Sequence, residues 1–177
     1  SDQPAKAIPF LRTQLSMPLE IDNHIICERS LAECLERTGK YKEALKLRDH
    51  WLADTSKKEG IDLKGDPKKI KLNNFMAKNL VMRAKDYMQL KDYKSALADL
   101  NLILSSFPSM TGAVEDRAVT LTRLGKHKEA LKDINSLISR NSEFPRWYDE
   151  RAEIYEKLGD KKAAEADRKK SAALSKE

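Results

Sequence analysis

The chain has 177 residues, of which 35% are charged and 40% hydrophobic, and it carries a formal net charge of +6. A composition rich in alanine, leucine, lysine and glutamate, with only six glycines and six prolines, favours a helical repeat protein. No stretch approaches the roughly 18 apolar residues of a membrane-spanning helix, so the sequence predicts no membrane insertion.

The segment 1–24 carries one helical pattern, in which Ile8, Leu11 and Leu15 fall on one face. We expect a helix over about residues 4–19 that corresponds to the second helix of a hairpin whose first helix is absent. This half unit fits a natural N-terminal cap and a piece of a longer array equally well, and the sequence leaves both open.

A divergent helical hairpin is predicted over residues 25–58. Its apolar and turn positions match those of a later block, residues 77–110, at a constant offset of 52 residues. The matching residues are Ala32, Leu35, Gly39, Tyr41, Ala44 and Leu45 against Ala84, Tyr87, Lys91, Tyr93, Ala96 and Leu97. Because the later blocks repeat every 34 residues, the longer offset indicates an insertion of 18 residues.

The insertion, over residues 59–76, is rich in lysine. Seven lysines in it and directly beside it stand against three acidic residues, which gives this region a local charge of +4. Asp66 followed by Pro67 is typical of a helix start, so we predict an extended helix from Pro67 to Leu90. The alternative is a separate short helix that is broken near Asn73.

Three blocks then repeat with a period of 34 residues, namely 77–110, 111–144 and 145–177. Each contains two amphipathic helical patterns separated by a short turn. Alanine recurs in register at Ala84, Ala118 and Ala152 in the first helices and at Ala96, Ala130 and Ala164 in the second helices. These alanines predict places where two helices approach closely, because a larger side chain would force the helices apart.

The turns and the last helix depart from strict repetition. Gly125 and Gly159 supply the left-handed conformation that ends a helix, whereas Lys91 stands at the equivalent position and is predicted to be mildly strained. In the last helix Arg168 and Ser171 replace apolar residues of the earlier blocks. We therefore expect a C-terminal capping helix with a polar outer side.

At these positions the chain resembles the tetratricopeptide repeat (TPR) family. The resemblance is carried by Ala84, Tyr87, Tyr93, Ala96 and Pro108 in one block and by Ala152, Tyr155, Gly159 and Ala164 in the last. It covers residues 25–177 and implies an all-α, right-handed superhelical solenoid of antiparallel helix pairs. It also implies a scaffold or adaptor that binds a peptide or a partner protein in a concave groove lined by the first helices.

An arginine and an aspartate recur sixteen residues apart in each of the last three blocks. Antiparallel helices joined by a tight turn would bring such residues within reach of a bidentate contact. Since the pairs recur in every block, we interpret them as structural ion pairs; the alternative is that the arginines line a ligand groove. The pairs are Arg83 with Asp99, Arg117 with Asp133 and Arg151 with Asp167.

Candidate partner-binding residues lie on the predicted first helices, and their character changes along the chain. An adaptable apolar patch comes first, formed by Val81, Met82 and Met88 with Lys85 beside them. The next two first helices are acidic, with Glu115, Asp116, Asp149, Glu150 and Glu153. This gradient favours a peptide partner with apolar anchors and basic residues, and the alternative is a solvated acidic face beside ordinary packing.

A well-known TPR subgroup holds the C-terminal carboxylate of the chaperones Hsp70 and Hsp90 with a clamp of lysine, asparagine and arginine side chains. The clamp positions correspond in this chain to Arg29, Glu33, Met82, Gly112 and Asp116 or, one block later, to Val81, Lys85, Asp116, Arg146 and Glu150. Acidic residues replace amide or basic donors in both sets, so we expect no binding of a chaperone tail.

Catalysis, metal binding and nucleic-acid binding have little support in the sequence. The three histidines have no serine, cysteine or aspartate partner in register, and no HExxH, GxSxG or glycine-rich phosphate motif occurs. The excess positive charge lies mostly in one short segment that is poor in aromatic residues for base stacking. We therefore predict a non-enzymatic interaction module without metal or cofactor. The alternatives are a self-associating structural module and a segment of a larger chaperone or assembly factor.

Overall fold

A computed structural model describes residues 3–17 and 21–176, with the backbone alone for 21–25. Over these residues the chain forms nine α-helices and no β-strand, which confirms the predicted all-α class. In chain order the helices are α1 (Gln3–Leu15), α2 (Ile21–Arg37), α3 (Tyr41–Glu59), α4 (Asn74–Gln89), α5 (Tyr93–Ser106), α6 (Thr111–Arg123), α7 (His127–Arg140), α8 (Pro145–Lys157) and α9 (Lys161–Leu174).

The helices belong to two compact units. Unit 1, Ser1–Asp92, contains α1 to α4, and unit 2, Tyr93–Glu177, contains α5 to α9. Within each unit every helix packs against the next one along the chain. The predicted block 77–110 thus contributes its first helix to unit 1 and its second helix to unit 2, and the assignment of individual repeats remains a prediction.

The core of unit 1 begins with α1. Its apolar face packs against α2, and the buried residues of this core are Ile8, Leu31, Ala32, Leu35 and Ala44, with Leu11 and Leu15 partly buried beside them. The N-terminal helix predicted from this pattern is therefore confirmed. It ends at Leu15, before the predicted end at residue 19, and residues 18 and 19 of the prediction lie outside the described residues.

The core of unit 2 is built around the recurring alanines. Ala96, Ala118, Ala130, Ala152 and Ala164 are at most 2% exposed. Around them the larger apolar residues of the second helices are fully buried, among them Leu100, Ile103, Ile134 and Leu137. The alanines are thus buried, as expected where a larger side chain would force helices apart, and the close approach of the helices remains a prediction.

The turns after the first helices share one backbone geometry. Gly125 and Gly159 have φ of 75° and 83°, as predicted, and Lys91 adopts the same left-handed conformation with φ of 61°. The N–H of Gly125 donates to Thr122, and that of Lys91 donates to Met88, so each turn closes on the last carbonyls of its helix. The lysine is the only non-glycine residue with positive φ in the described part of the chain.

The predicted helix from Pro67 to Leu90 is wrong, because α4 begins only at Asn74. The side chain of Asn73 accepts a hydrogen bond from the N–H of Met76 at 2.8 Å and so caps the helix at this point. Asp66 and Pro67 instead belong to a single turn, so the alternative of a separate short helix is also wrong.

The expected polar outer side of the last helix is only partly present. Arg168 is exposed, but Ser171 is buried. Ser171 lies one turn after the buried Asp167, on the face of α9 that packs in the unit, so its small hydroxyl faces inward.

Candidate partner-binding surface

The residues predicted to bind a partner are divided between the two units. Val81, Met82, Lys85 and Met88 lie on α4 in unit 1, whereas the five acidic residues lie on α6 and α8 in unit 2. The two sets are therefore described separately.

The α4 set forms a half-buried apolar stripe. Val81, Met82 and Met88 are partly exposed, and Lys85 is exposed between them. On the same helix Leu80 and Ala84 are fully buried. The three apolar side chains thus keep part of their surface available, and methionine adapts readily to the shape of a partner.

In unit 2 two of the acidic residues, Glu115 and Glu150, contact the same arginine. Arg146 lies in the first turn of α8, and its guanidinium contacts Glu115 of α6 at 3.0 Å and Glu150 of α8 at 2.9 Å. Both carboxylates are largely buried, whereas Arg146 itself is mostly exposed. One exposed guanidinium thus contacts two largely buried carboxylates.

Glu150 is the most perturbed member of this set. Its pKa is raised from 4.5 to about 7, first by burial and then by the charge of Glu115, while Arg146 opposes the rise and Asp116 adds to it. The second carboxylate oxygen of Glu150, Oε2, is buried and has no hydrogen-bond partner among the described residues. An additional positive charge near Glu150 would lower the cost of ionising it.

A shallow surface pocket that includes Glu150 in its lining is formed by residues of α6, α7 and α8. Its floor is apolar and its rim carries Glu150, Glu153 and Arg123; the apolar lining residues are Ala118, Val119, Ile134 and Ile154. Glu153 and Arg123 form an exposed ion pair across the rim at 2.9 Å. Of the five predicted acidic residues, Glu150 and Glu153 line this pocket, whereas Glu115, Asp116 and the exposed Asp149 do not.

Two of the predicted arginine–aspartate pairs lie within unit 2. Arg117 donates to Asp133 from Nε at 2.8 Å and from Nη2 at 2.7 Å. Arg151 donates to Asp167 from the same two atoms, both at 2.7 Å. These bonds raise the pKa of both arginines. The stabilising role that we assign to such pairs remains a prediction, as does the pairing of Arg83 with Asp99, which belong to different units.

Each arginine has a further acceptor that sequence reasoning missed. Arg117 donates from Nη1 to Oδ1 of Asn101 at 3.2 Å. Arg151 donates from Nη1 to Oδ1 of Asn135 at 2.7 Å. In unit 1 Arg83 contacts Asp49 through Nη1 at 2.8 Å. The three acceptors are in register, with offsets of 52 and 34 residues, so the repeat period contained the signal that could have found them.

A buried charge network in unit 1 was also missed. Arg48 of α3 donates from Nε to Asp86 of α4 at 3.0 Å and from Nη2 to Glu36 of α2. Neither Arg48 nor Asp86 belongs to the recurring arginine–aspartate set, so the period gave no sign of their pairing. The network is a contact among three helices and not part of the candidate binding surface.

Two further properties of the described residues bear on function. They contain no group of three or more histidine, cysteine, aspartate or glutamate residues arranged to hold a metal ion. None of their helices is both long and apolar enough to cross a membrane.

Comparison with known proteins identifies the fold. No family model matches the chain, and no curated protein matches it in sequence. Among solved structures, MamA AMB-1 is 18% identical with a TM-score of 0.75 and covers 98% of this chain and 90% of its own. MamA from Desulfovibrio magneticus RS-1 is 19% identical with a TM-score of 0.65, over 83% of this chain and 73% of its own.

A third solved structure contains TPR-like repeats. It is a Podosopora anserina protein described as a kinesin light chain with nearly identical repeats, and it is 15% identical with a TM-score of 0.78. The match covers 98% of this chain and 87% of that one. At such low identities these similarities establish the fold alone. The chain has the all-α fold of TPR-like repeat proteins, as its resemblance to the family predicted.

Proposed function

We propose that this chain is a protein-interaction module that binds a segment of a partner protein carrying basic residues, without a catalytic step. The observation that supports this most is the charge imbalance on α6 and α8. Glu115 and Glu150 are largely buried beside a single arginine, and the pKa of Glu150 is raised to about 7. A lysine or arginine from a partner would supply the missing positive charge.

The pocket beside Glu150 suits such a side chain. Its apolar floor would cover the aliphatic stem of a lysine or arginine, while the carboxylates of Glu150 and Glu153 would accept hydrogen bonds from the charged head group. The exposed pair of Glu153 with Arg123 would open at little cost, because exposed ion pairs contribute about 0–1 kcal/mol.

The stripe on α4 would supply apolar contacts to the same class of partner. Val81, Met82 and Met88 are partly exposed, and partly exposed methionines re-pack easily around an irregular apolar side chain. We propose that each set, by itself, offers contacts to such a partner. In this proposal the carboxylates act as charge partners and not as acid or base catalysts.

The test is calorimetric titration with a synthetic peptide that has leucines at one end and lysines at the other. The double variant Asp116→Lys/Glu150→Lys should lose about tenfold or more in affinity, because it places like charges opposite the peptide. The milder variant Glu150→Gln should weaken binding less and should fold like the wild type. The peptide with glutamates in place of lysines should not bind.

A matched control keeps the same change in net charge away from the pocket. Glu143→Lys/Glu165→Lys changes two exposed residues, one before α8 and one on α9. This control should bind the basic peptide as the wild type does, with circular dichroism confirming that all variants are helical. Equal affinity for the wild type and the Asp116/Glu150 variant would rule the proposal out.

A further inference from the structure

The segment between α3 and α4 is an ordered loop, residues 60–73, which we name the lysine loop. It begins at Gly60, whose left-handed conformation with φ of 65° ends α3, and it ends at Asn73, which caps α4. Ile70 and Leu72 are buried, with exposed Lys71 between them. This alternation is that of an extended chain anchored on its inner side.

The basic residues of the lysine loop all lie on its outer side. They are Lys64, Lys68, Lys69 and Lys71, all exposed. Among the described residues none of these four forms an ion pair, so their charges are not neutralised by contacts within the protein. The loop's two aspartates, Asp62 and Asp66, instead accept hydrogen bonds from the backbone N–H groups of Lys64 and Lys68.

The apolar side of the loop is used for folding. Its buried residues, Ile70 and Leu72, are unavailable to a partner, and the loop contains no aromatic residue. It therefore lacks the aromatic anchor that is common in protein–protein interfaces and a platform for base stacking, and its other apolar residues, Ile61 and Leu63, are only partly exposed. With four exposed lysines and two exposed aspartates, it presents a net charge of +2 to its surroundings.

We propose that the lysine loop adsorbs the protein reversibly to an anionic lipid surface through Lys64, Lys68, Lys69 and Lys71, without inserting chain into the bilayer. Clusters of four or more basic residues are attracted by anionic headgroups, and each lysine near the surface strengthens binding by about a factor of five. The four lysines are distinct from the residues proposed to bind the peptide, which lie on α4, α6 and α8.

The choice of lysine favours a lipid surface over a protein or nucleic-acid partner. Every basic residue of the loop is lysine, although arginine is used repeatedly elsewhere in the chain. Lysine is a hydrated point charge suited to a diffuse negative surface, whereas bidentate recognition of a carboxylate or a phosphate group favours arginine.

The experiment is co-sedimentation of the whole chain with vesicles. Vesicles of phosphatidylcholine with about one-third phosphatidylserine should bind the wild type at low salt, and binding should be largely lost at about 0.5 M salt. Vesicles of phosphatidylcholine alone should not bind it. Replacing the four lysines by glutamine one after another should lower the partition coefficient about fivefold at each step.

A control variant separates the loop from the net charge of the protein. Lys128, Lys157, Lys162 and Lys170 are exposed in unit 2 and form no ion pair among the described residues, and changing all four to glutamine removes the same charge. The control variant should retain most of the vesicle binding, and the variant of the four loop lysines should still bind the basic peptide.

Equal losses of vesicle binding in both variants, or binding of the wild type to neutral vesicles, would overturn the proposal. Tighter binding to a polyglutamate peptide or to an RNA oligonucleotide than to anionic vesicles would overturn it as well.

Discussion

Arg48 on α3 donates from Nε to Asp86 on α4 at 3.0 Å, and both side chains are at most 3% exposed. Burial lowers the pKa of Arg48 and raises that of Asp86, so each charge is sustained by the other in an environment that disfavours both. The same guanidinium also contacts Glu36 on α2. One residue thus joins three helices, including the two that the lysine loop separates in sequence.

The first prediction concerns this pair. Asp86→Ala should lower the free energy of unfolding by about 3–5 kcal/mol, because it leaves the buried Arg48 guanidinium without its main counter-charge. The double variant Arg48→Met/Asp86→Leu should recover most of that loss, since apolar side chains of similar size need no partner. Urea unfolding monitored by circular dichroism measures both. A double variant as unstable as the single one would show that the charges themselves hold α3 and α4 together.

The second prediction concerns the pH dependence of Glu150. Its pKa in the folded chain, about 7, lies above its ordinary value of 4.5, so the folded state binds more protons between these pH values. The stability that protonated Glu150 contributes is therefore complete below about pH 4.5 and is lost as the pH rises through 7. A pKa shift of this size corresponds to a change of about 3 kcal/mol in the free energy of unfolding between low and high pH.

Glu150→Gln tests this dependence. The variant should be more stable than the wild type at pH 8 and about equally stable at pH 4.5, because glutamine carries no charge that burial would penalise. Thermal unfolding over this pH range gives the comparison. Asp149→Asn, at an exposed neighbouring position, should leave the pH profile unchanged. An unaltered profile in Glu150→Gln would mean that another group titrates.

The third prediction concerns the pair of Arg117 with Asp133. Arg117→Ala should lower the free energy of unfolding by about 2 kcal/mol, because two charge-assisted hydrogen bonds to a mostly buried carboxylate are lost. Arg117→Lys should restore less than half of this lost free energy of unfolding, since an ammonium cannot make the bidentate contact. Arg123→Ala removes an exposed pair and should cost less than about 1 kcal/mol. If Arg117→Ala leaves the melting temperature unchanged, the pair has no structural role.

The fourth prediction concerns Lys91. Since Lys91 has φ of 61°, Lys91→Gly should stabilise the chain by about 0.5–1 kcal/mol, because glycine adopts this conformation without steric cost. Gly125→Ala at the equivalent turn should destabilise it by a similar amount. Lys132→Gly, in the interior of α7, should also be destabilising, so a gain at position 91 would report on φ rather than on loss of the lysine. The melting temperatures of the three variants, compared with that of the wild type, measure these changes in stability.

The sequence predicted those parts of the fold that depend on local periodicity. The spacing of Ala118, Ala130 and Ala152 identified buried positions, and Gly125 identified a turn, because each depends on a side chain's size or on backbone freedom at one position. The same approach failed at Asn73. The Asp-Pro start signal and the Asn cap compete within a few residues, and only the anchoring of the loop by Ile70 and Leu72 decides between them.

By itself, the sequence determined the helical repeats, the register of the recurring alanines and arginines, and the location of positive charge in one insertion. These follow from residue type and spacing, which a linear chain displays directly. The tertiary structure alone decided that Arg48 meets Asp86 across 38 residues, that Arg146 faces Glu115, and that Glu150 is buried beside an apolar pocket. Burial and electrostatic coupling depend on distances between segments far apart in the chain, and no local pattern encodes them.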